Sequence, residues 1–119
     1  MTLTQVRKFS LSLRDATEEP HFDRTSFRVN GRIFVTARPT EPFIHIFVDE
    51  TQREPALAVH PDCMEKLLWG GKVVGLRVAL NKAPIATVRD LIRAAWALRG
   101  KKSQSKPKSS SSAGRGRRS

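Results

Sequence analysis

Two pairs of cations stand beside glycine-bearing turns in this sequence. Arg28 and Arg32 flank Asn30-Gly31, and Lys66 and Lys72 flank Gly70-Gly71. A cation at the tip of a tight turn reaches past the surrounding surface, where it can contact a phosphate oxygen or enter a groove. The same residue types also act as plain solubilising groups that keep strand edges from pairing with other chains. A second group mixes apolar and aromatic residues with charge. Ile33, Val35, Phe43, His45 and Phe47 share one expected strand face with Arg28 and Arg77. Such a face suits stacked bases. It equally suits a homodimer, another protein or a small ligand, because a contiguous exposed apolar patch marks some partner.

The third feature is the C-terminal run. Residues 101–119 hold seven bases (Lys101, Lys102, Lys106, Lys108, Arg115, Arg117 and Arg118) and no acid. The net charge is +11, and residues 1–100 carry 15 bases against 11 acids, so the run supplies most of the excess. A polyanion is the expected partner of such a chain. The run has no aromatic side chain to read bases, so it can hold phosphate but not sequence. If all seven cations displaced counterions from a duplex, the salt slope would be about −0.9 × 7, roughly −6. Its Lys, Ser, Gln, Pro, Ala, Gly and Arg composition has almost no apolar surface to offset the entropy of ordering, which predicts a disordered tail after a domain of residues 1–100.

Other chemistry finds less support. His60-Pro61-Asp62-Cys63 offers two metal ligands, but a tetrahedral zinc needs four, and His21 and His45 belong to separate elements, so no metal is expected. There is no glycine-rich phosphate loop, no Gly-x-Ser-x-Gly elbow and no His-Glu-x-x-His. Glu18 and Glu19 are neighbours and point apart in extended chain, which makes them a poor acid–base pair. The expectation is a non-enzymatic protein with no catalytic residue and no cofactor. The lone Cys63 fits a reducing compartment, the cytoplasm by default. No apolar run approaches the roughly 18 to 20 residues that cross a bilayer, so no membrane partner is expected.

These groups need elements to hold them. Val6, Phe9, Leu13 and Ala16 follow helical spacing from Thr4 to Ala16, and the polar Thr17-Glu18-Glu19-Pro20 segment ends that helix. Thr25–Val29, Asn30-Gly31 and Arg32–Thr36 predict a hairpin with a type I′ turn, because Asn-Gly accepts positive φ. A two-residue turn sets Val29 opposite Arg32 and Phe27 opposite Phe34, which puts Phe27, Val29 and Phe34 inside and Arg28, Ile33 and Val35 outside. Phe43–Val48 forms a third strand. A short helix follows Asp49, with Pro55 restricted to its first turn or forcing a late start. Met64–Trp69 and Val73–Leu80 make a second hairpin around Gly70-Gly71. Thr87 and Asp90 fit a capping box for a last helix, which Gly100 stops. The sum is a single α+β domain: a five-stranded antiparallel sheet with helices on one face.

The run Ala16-Thr17-Glu18-Glu19-Pro20-His21-Phe22-Asp23-Arg24-Thr25-Ser26-Phe27-Arg28-Val29 is one of several stretches that resemble the MmcQ/YjbR family of small bacterial proteins. The others are Gly31 to Phe34, His60-Pro61, and Val88-Arg89-Asp90-Leu91 with Ala95-Trp96. The likeness covers roughly residues 2–99, so the basic tail lies outside it. The resemblance implies a frataxin-like (CyaY-like) fold with two projecting hairpins, described as a DNA-binding domain, with no established substrate. An iron-handling role of the frataxin kind relies on a dense acidic ridge, whereas the first helix here is basic apart from Asp15. The combined expectation is a DNA-associated protein. Arg28, Arg32, Lys66, Lys72 and Arg77 dock its core, while Lys101, Lys102, Arg115, Arg117 and Arg118 add non-specific phosphate attraction. The competing expectation is a protein-interaction or small-ligand module that uses the apolar sheet face.

Overall fold

The computed structural model describes residues 1–101. Helix α1 (Leu3–Ser12) begins at Thr2, whose hydroxyl accepts from the Gln5 N–H while the Gln5 side chain accepts from the Thr2 N–H. This reciprocal pair satisfies two of the helix's orphan donors. The helix stops four residues short of the expected Ala16, because residues from Ala16 onward are taken up by a strand.

That strand, β1 (Ala16–His21), makes the sheet six-stranded rather than five-stranded. It pairs along its whole length with β2 (Arg24–Val29), from Ala16 opposite Val29 to His21 opposite Arg24. Adjacent Glu and Pro residues are weak strand formers, so pairing rather than propensity decides the outcome. Pro20 is tolerable because β1 is an edge strand. Glu18 turns to the helix side, where Arg7 of α1 grips it through two nitrogens (2.9 and 3.1 Å) and the Thr25 hydroxyl donates to it at 2.6 Å. This Arg7 contact holds the Glu18 carboxyl below its usual pKa.

β2 and β3 (Arg32–Ala37) form the expected hairpin, with φ of 53° at Asn30 and 79° at Gly31. The register departs from expectation one step beyond the turn. Arg28 still faces Ile33, but Phe27 faces Val35, so Phe34 is an extra residue in β3. Such a bulge lets two successive residues lean to one side of the sheet. Phe34 and Val35 are accordingly both fully buried in the core, which corrects the placement of Val35 on the outer face.

β4 (Phe43–Ile46) pairs with β3 and with β6 (Lys72–Ala79), and β5 (Met64–Trp69) completes the order β1-β2-β3-β4-β6-β5. Helix α2 (Glu50–Val59) is capped by Asp49 and runs through Pro55 in its second turn, later than the first-turn position expected of it. Helix α3 (Ile85–Gly100) starts from Pro84 without a side-chain cap. Thr87 therefore lies within the helix and the expected capping box does not form. Val88, Leu91, Ile92 and Ala95 of α3 meet Val6 of α1 and the inward row Phe27, Val35, Ile44, Ile46, Leu76 and Val78 in one core. The helices thus leave the opposite sheet face uncovered. No helix among the described residues is long and apolar enough to cross a membrane. Lys101 is an exposed cap residue after α3. The rest of the expected tail, with Lys102, Arg115, Arg117 and Arg118, lies outside the described residues.

Candidate nucleic-acid interface

The strand register brings both hairpin turns to one end of the sheet. Val35 pairs with Ile46 and Ile46 with Leu76, so the start of β3, the residues after β4 and the start of β6 all lie toward that end. Asn30-Gly31 and Gly70-Gly71 therefore share one end of the sheet, with the end of β4 between them. Both turns are of the same left-handed kind, with φ of 55° at Gly70 and 82° at Gly71. The C-terminus of α3 reaches the same end. The Asn30 Nδ2 donates to the Gly100 carbonyl (3.1 Å) and an Arg32 guanidinium nitrogen to the Lys101 carbonyl (3.4 Å), which caps α3 with the first hairpin. That hairpin is thus docked against the helix rather than projecting freely.

Between these elements lies a recess of about 520 Å³ lined by residues that include Arg32, Val48, Arg53, Val73, Leu98 and Arg99 and the acidic Asp49 and Glu50. Arg99 reaches over the Phe47 ring, its guanidinium carbon 5.5 Å from the centroid. Burial and the nearby Arg32 charge together hold the Arg99 pKa below the usual arginine range. Its Nε is buried with no hydrogen-bond partner, and neither arginine has an ion pair among the described residues. Two like charges held close with no ion-pair partner favour a bound anion, and the Asp49 and Glu50 carboxylates in the same recess offset part of that pull.

The uncovered sheet face is different in character from the expected apolar patch. Phe47 is 2% exposed and packs edge-to-face with Trp69 at 5.1 Å, and Phe43 lies beneath the Arg77 guanidinium at 3.7 Å. Val35 is on the other side. Of the five residues assigned to that patch, Ile33, Phe43 and His45 keep partial exposure. The centre of the face is polar. Ser26 donates to the Glu19 carbonyl at 2.8 Å and accepts from Arg28 Nε at 3.0 Å, while Thr36 accepts from Arg24. Arg24 and Arg38 share Glu41, Arg38 also meets Asp23, and Arg77 pairs with Glu65 at 2.7 Å. Apart from Arg28, these guanidiniums are already matched by carboxylates.

His45 sits half-buried among them. Burial, then the Arg24 and Arg77 charges, push its pKa down to about 4. An imidazole in the unfolded chain titrates near 6.5. The unfolded chain therefore takes up a proton between these values that the folded protein excludes. The stability associated with neutral His45 is present above about pH 6.5 and is lost as pH falls toward 4. An NMR titration is expected to show the His45 ring changing state near pH 4, and His45→Gln should flatten the loss of stability across that window. A midpoint at the ordinary histidine value would mean that the ring is solvated and unperturbed.

The expected docking residues thus separate. Arg32, Lys72 and Lys101 gather at the turn end, and Arg28 lies close to it on the uncovered face. Lys66 sits opposite Leu76 partway along an edge strand, and Arg77 is committed to Glu65 and Phe43. Arg99 and Trp69 join the turn end without having been singled out from the sequence. Arg99 reads there as a routine last-turn cation and Trp69 as a strand residue. The one local signal for them was proximity in sequence to Gly100 and to Gly70.

Among the described residues no three His, Cys, Asp or Glu side chains gather as a metal site. The YjbR family model matches residues 11–98. In three dimensions the chain is similar to Deinococcus radiodurans protein DR2400, whose domain is described as DUF419. The TM-score is 0.73 at 20% identity, over 82% of this chain and 77% of that one. At that identity the likeness speaks for the fold alone. No curated protein matches the chain.

Proposed function

Because the chain belongs to the YjbR family, whose name assigns no activity, we propose from its geometry that it is a non-enzymatic nucleic-acid-binding protein that docks DNA at the turn end. The observation that carries this reading is the Arg32–Arg99 pair, neither of them in an ion pair among the described residues, in the recess at the end of the sheet where β6 begins at Lys72 and α3 ends at Lys101, with the basic C-terminal run following in sequence. Phosphate contacts position such a protein on its ligand without reading bases. The lone Cys63 supports a reducing, cytoplasmic setting. Helices from both ends of the chain packed on one face of an antiparallel sheet support a frataxin-like architecture. The alternative module built on an apolar sheet face loses support, because Val35 and Phe47 are buried and the Arg77 guanidinium lies over the Phe43 ring.

Fluorescence anisotropy with labelled DNA at several salt concentrations tests the proposal. Saturable binding is expected, and Arg32→Ala and Lys72→Ala should each weaken it and reduce the magnitude of the salt slope by about 1. The control Lys66→Ala, away from the turn end, should change little. Equal losses at all three positions would replace a docking site with diffuse charge attraction.

A further inference from the structure

The turn end carries an aromatic group that phosphate binding does not use. Trp69 is the last residue of β5 and faces Lys72 across the Gly70-Gly71 turn. Half of its surface is open (50%), and Leu68 beside it is 57% exposed. Its one aromatic contact among the described residues is the edge-to-face packing on Phe47 at 5.1 Å and 61°, and the Arg99 guanidinium also lies against Phe47. The other tryptophan, Trp96, donates its indole N–H to the Arg14 carbonyl, whereas the Trp69 indole has no hydrogen bond to any described residue. Exposing half an indole forgoes apolar burial, and holding it against Phe47 keeps the ring in one orientation.

Resting on the nucleic-acid reading above, we propose that Trp69 is a base-stacking platform and that the turn end takes single-stranded nucleic acid in preference to duplex. A rigid exposed ring among cations is the arrangement that binds unpaired bases, because every base has a π face and the phosphates follow the charge. In a duplex the bases are already stacked, so the ring could engage only as a wedge driven between base steps. Trp69 is poorly placed for that. The Gly70-Gly71 turn extends beyond it, and its ring lies on the sheet surface against Phe47. It can receive a base brought to it and cannot reach into a stack. Lys72, directly opposite, and the Arg32–Arg99 pair supply the phosphate contacts for a strand crossing this end.

The test uses the full chain with labelled oligothymidine and a labelled duplex of equal length. The wild-type protein is expected to bind the single strand more tightly and to show quenched tryptophan fluorescence on binding. Trp69→Leu should lower single-strand affinity about 5- to 100-fold, leave the salt slope and duplex affinity unchanged, and retain a cooperative melt. Trp69→Phe should recover most of the loss. Undiminished single-strand binding by Trp69→Leu, or a wild-type preference for duplex, overturns the stacking role while leaving the nucleic-acid reading standing. Absence of binding to either oligonucleotide by the wild-type chain overturns both. If Trp69→Leu instead changes the oligomeric state seen by sedimentation with oligonucleotide binding intact, Leu68 and Trp69 form an interface between copies and the stacking proposal fails.

Discussion

Gly75→Ala is expected to destabilise the fold by about 3 kcal/mol or more, an effect at the top of the range for overpacking a well-filled interior. A methyl group at this position would lie 2.1 Å from the Ile46 carbonyl oxygen and 3.0 Å from its carbonyl carbon. Both are backbone atoms of the adjacent strand, so no side-chain rotation can relieve the clash. β4 and β6 pair around this point, with Ile46 opposite Leu76, and forcing them apart disturbs the middle of the sheet. On its other side Gly75 faces Leu67 of β5 beside a register shift, where Leu68 faces Val73, so the residue has strands on both sides. Urea denaturation of the purified variant reads the change as a shift in midpoint at unchanged slope. A midpoint within error of the wild type would mean that the β4–β6 approach is looser than described. Gly31→Ala makes a useful comparison, because nothing lies within 4 Å of its added methyl and the cost there is that of a positive φ alone, about 1 to 2 kcal/mol.

Ending the chain at Lys101 is expected to change binding more than any single substitution. It removes six cations, Lys102, Lys106, Lys108, Arg115, Arg117 and Arg118, and leaves every described element in place. Each cation that displaces a counterion from duplex DNA contributes roughly 0.9 to the salt slope, so the slope should become less negative by about 5. Across a fourfold rise in salt, the full chain should then lose about a thousandfold more affinity than the shortened one. The shortened chain should still bind at low salt, and Arg32→Ala should weaken that residual binding. Coincident salt slopes would mean that residues 102–119 make no phosphate contacts. Complete loss of binding would mean that the core has no docking site of its own.

The parts of this architecture that were legible in the sequence are those fixed by local chemistry. Asn30-Gly31 and Gly70-Gly71 announce turns because few other residues tolerate two successive positive φ angles, and both turns form where expected. The apolar spacing of α3 and the alternation of Ile44, Ile46 and Val48 likewise survive in the core. What was not legible depends on partners distant in sequence. β1 exists because Ala16–His21 finds β2 to pair with, and Glu18 is tolerated there because Arg7 reaches it from α1. The bulge at Phe34 inverts the side taken by Val35, and no residue type at that position signals it. The candidate site follows the same rule. Arg32 and Lys72 could be named from their turns, but their convergence with Arg99 and Trp69 requires β6 to insert between β4 and β5, which is a fact of strand order.

The Asn30–Gly100 hydrogen bond joins residues 70 apart, and this bears on how the protein is made. During synthesis the whole sheet is available before α3, since β6 ends at Ala79 and the helix runs to Gly100. Until then the inner row of Phe27, Val35, Ile44, Ile46 and Leu76 lacks the Val88, Leu91, Ile92 and Ala95 layer that covers it. A nascent chain of this length has α1 and α2 to lay against the sheet but leaves the ground of α3 open to water, an apolar surface of the kind that chaperones hold. The apolar face is therefore covered in full only once the last helix has been made, and the last turn of that helix is fastened by an asparagine side chain translated long before it.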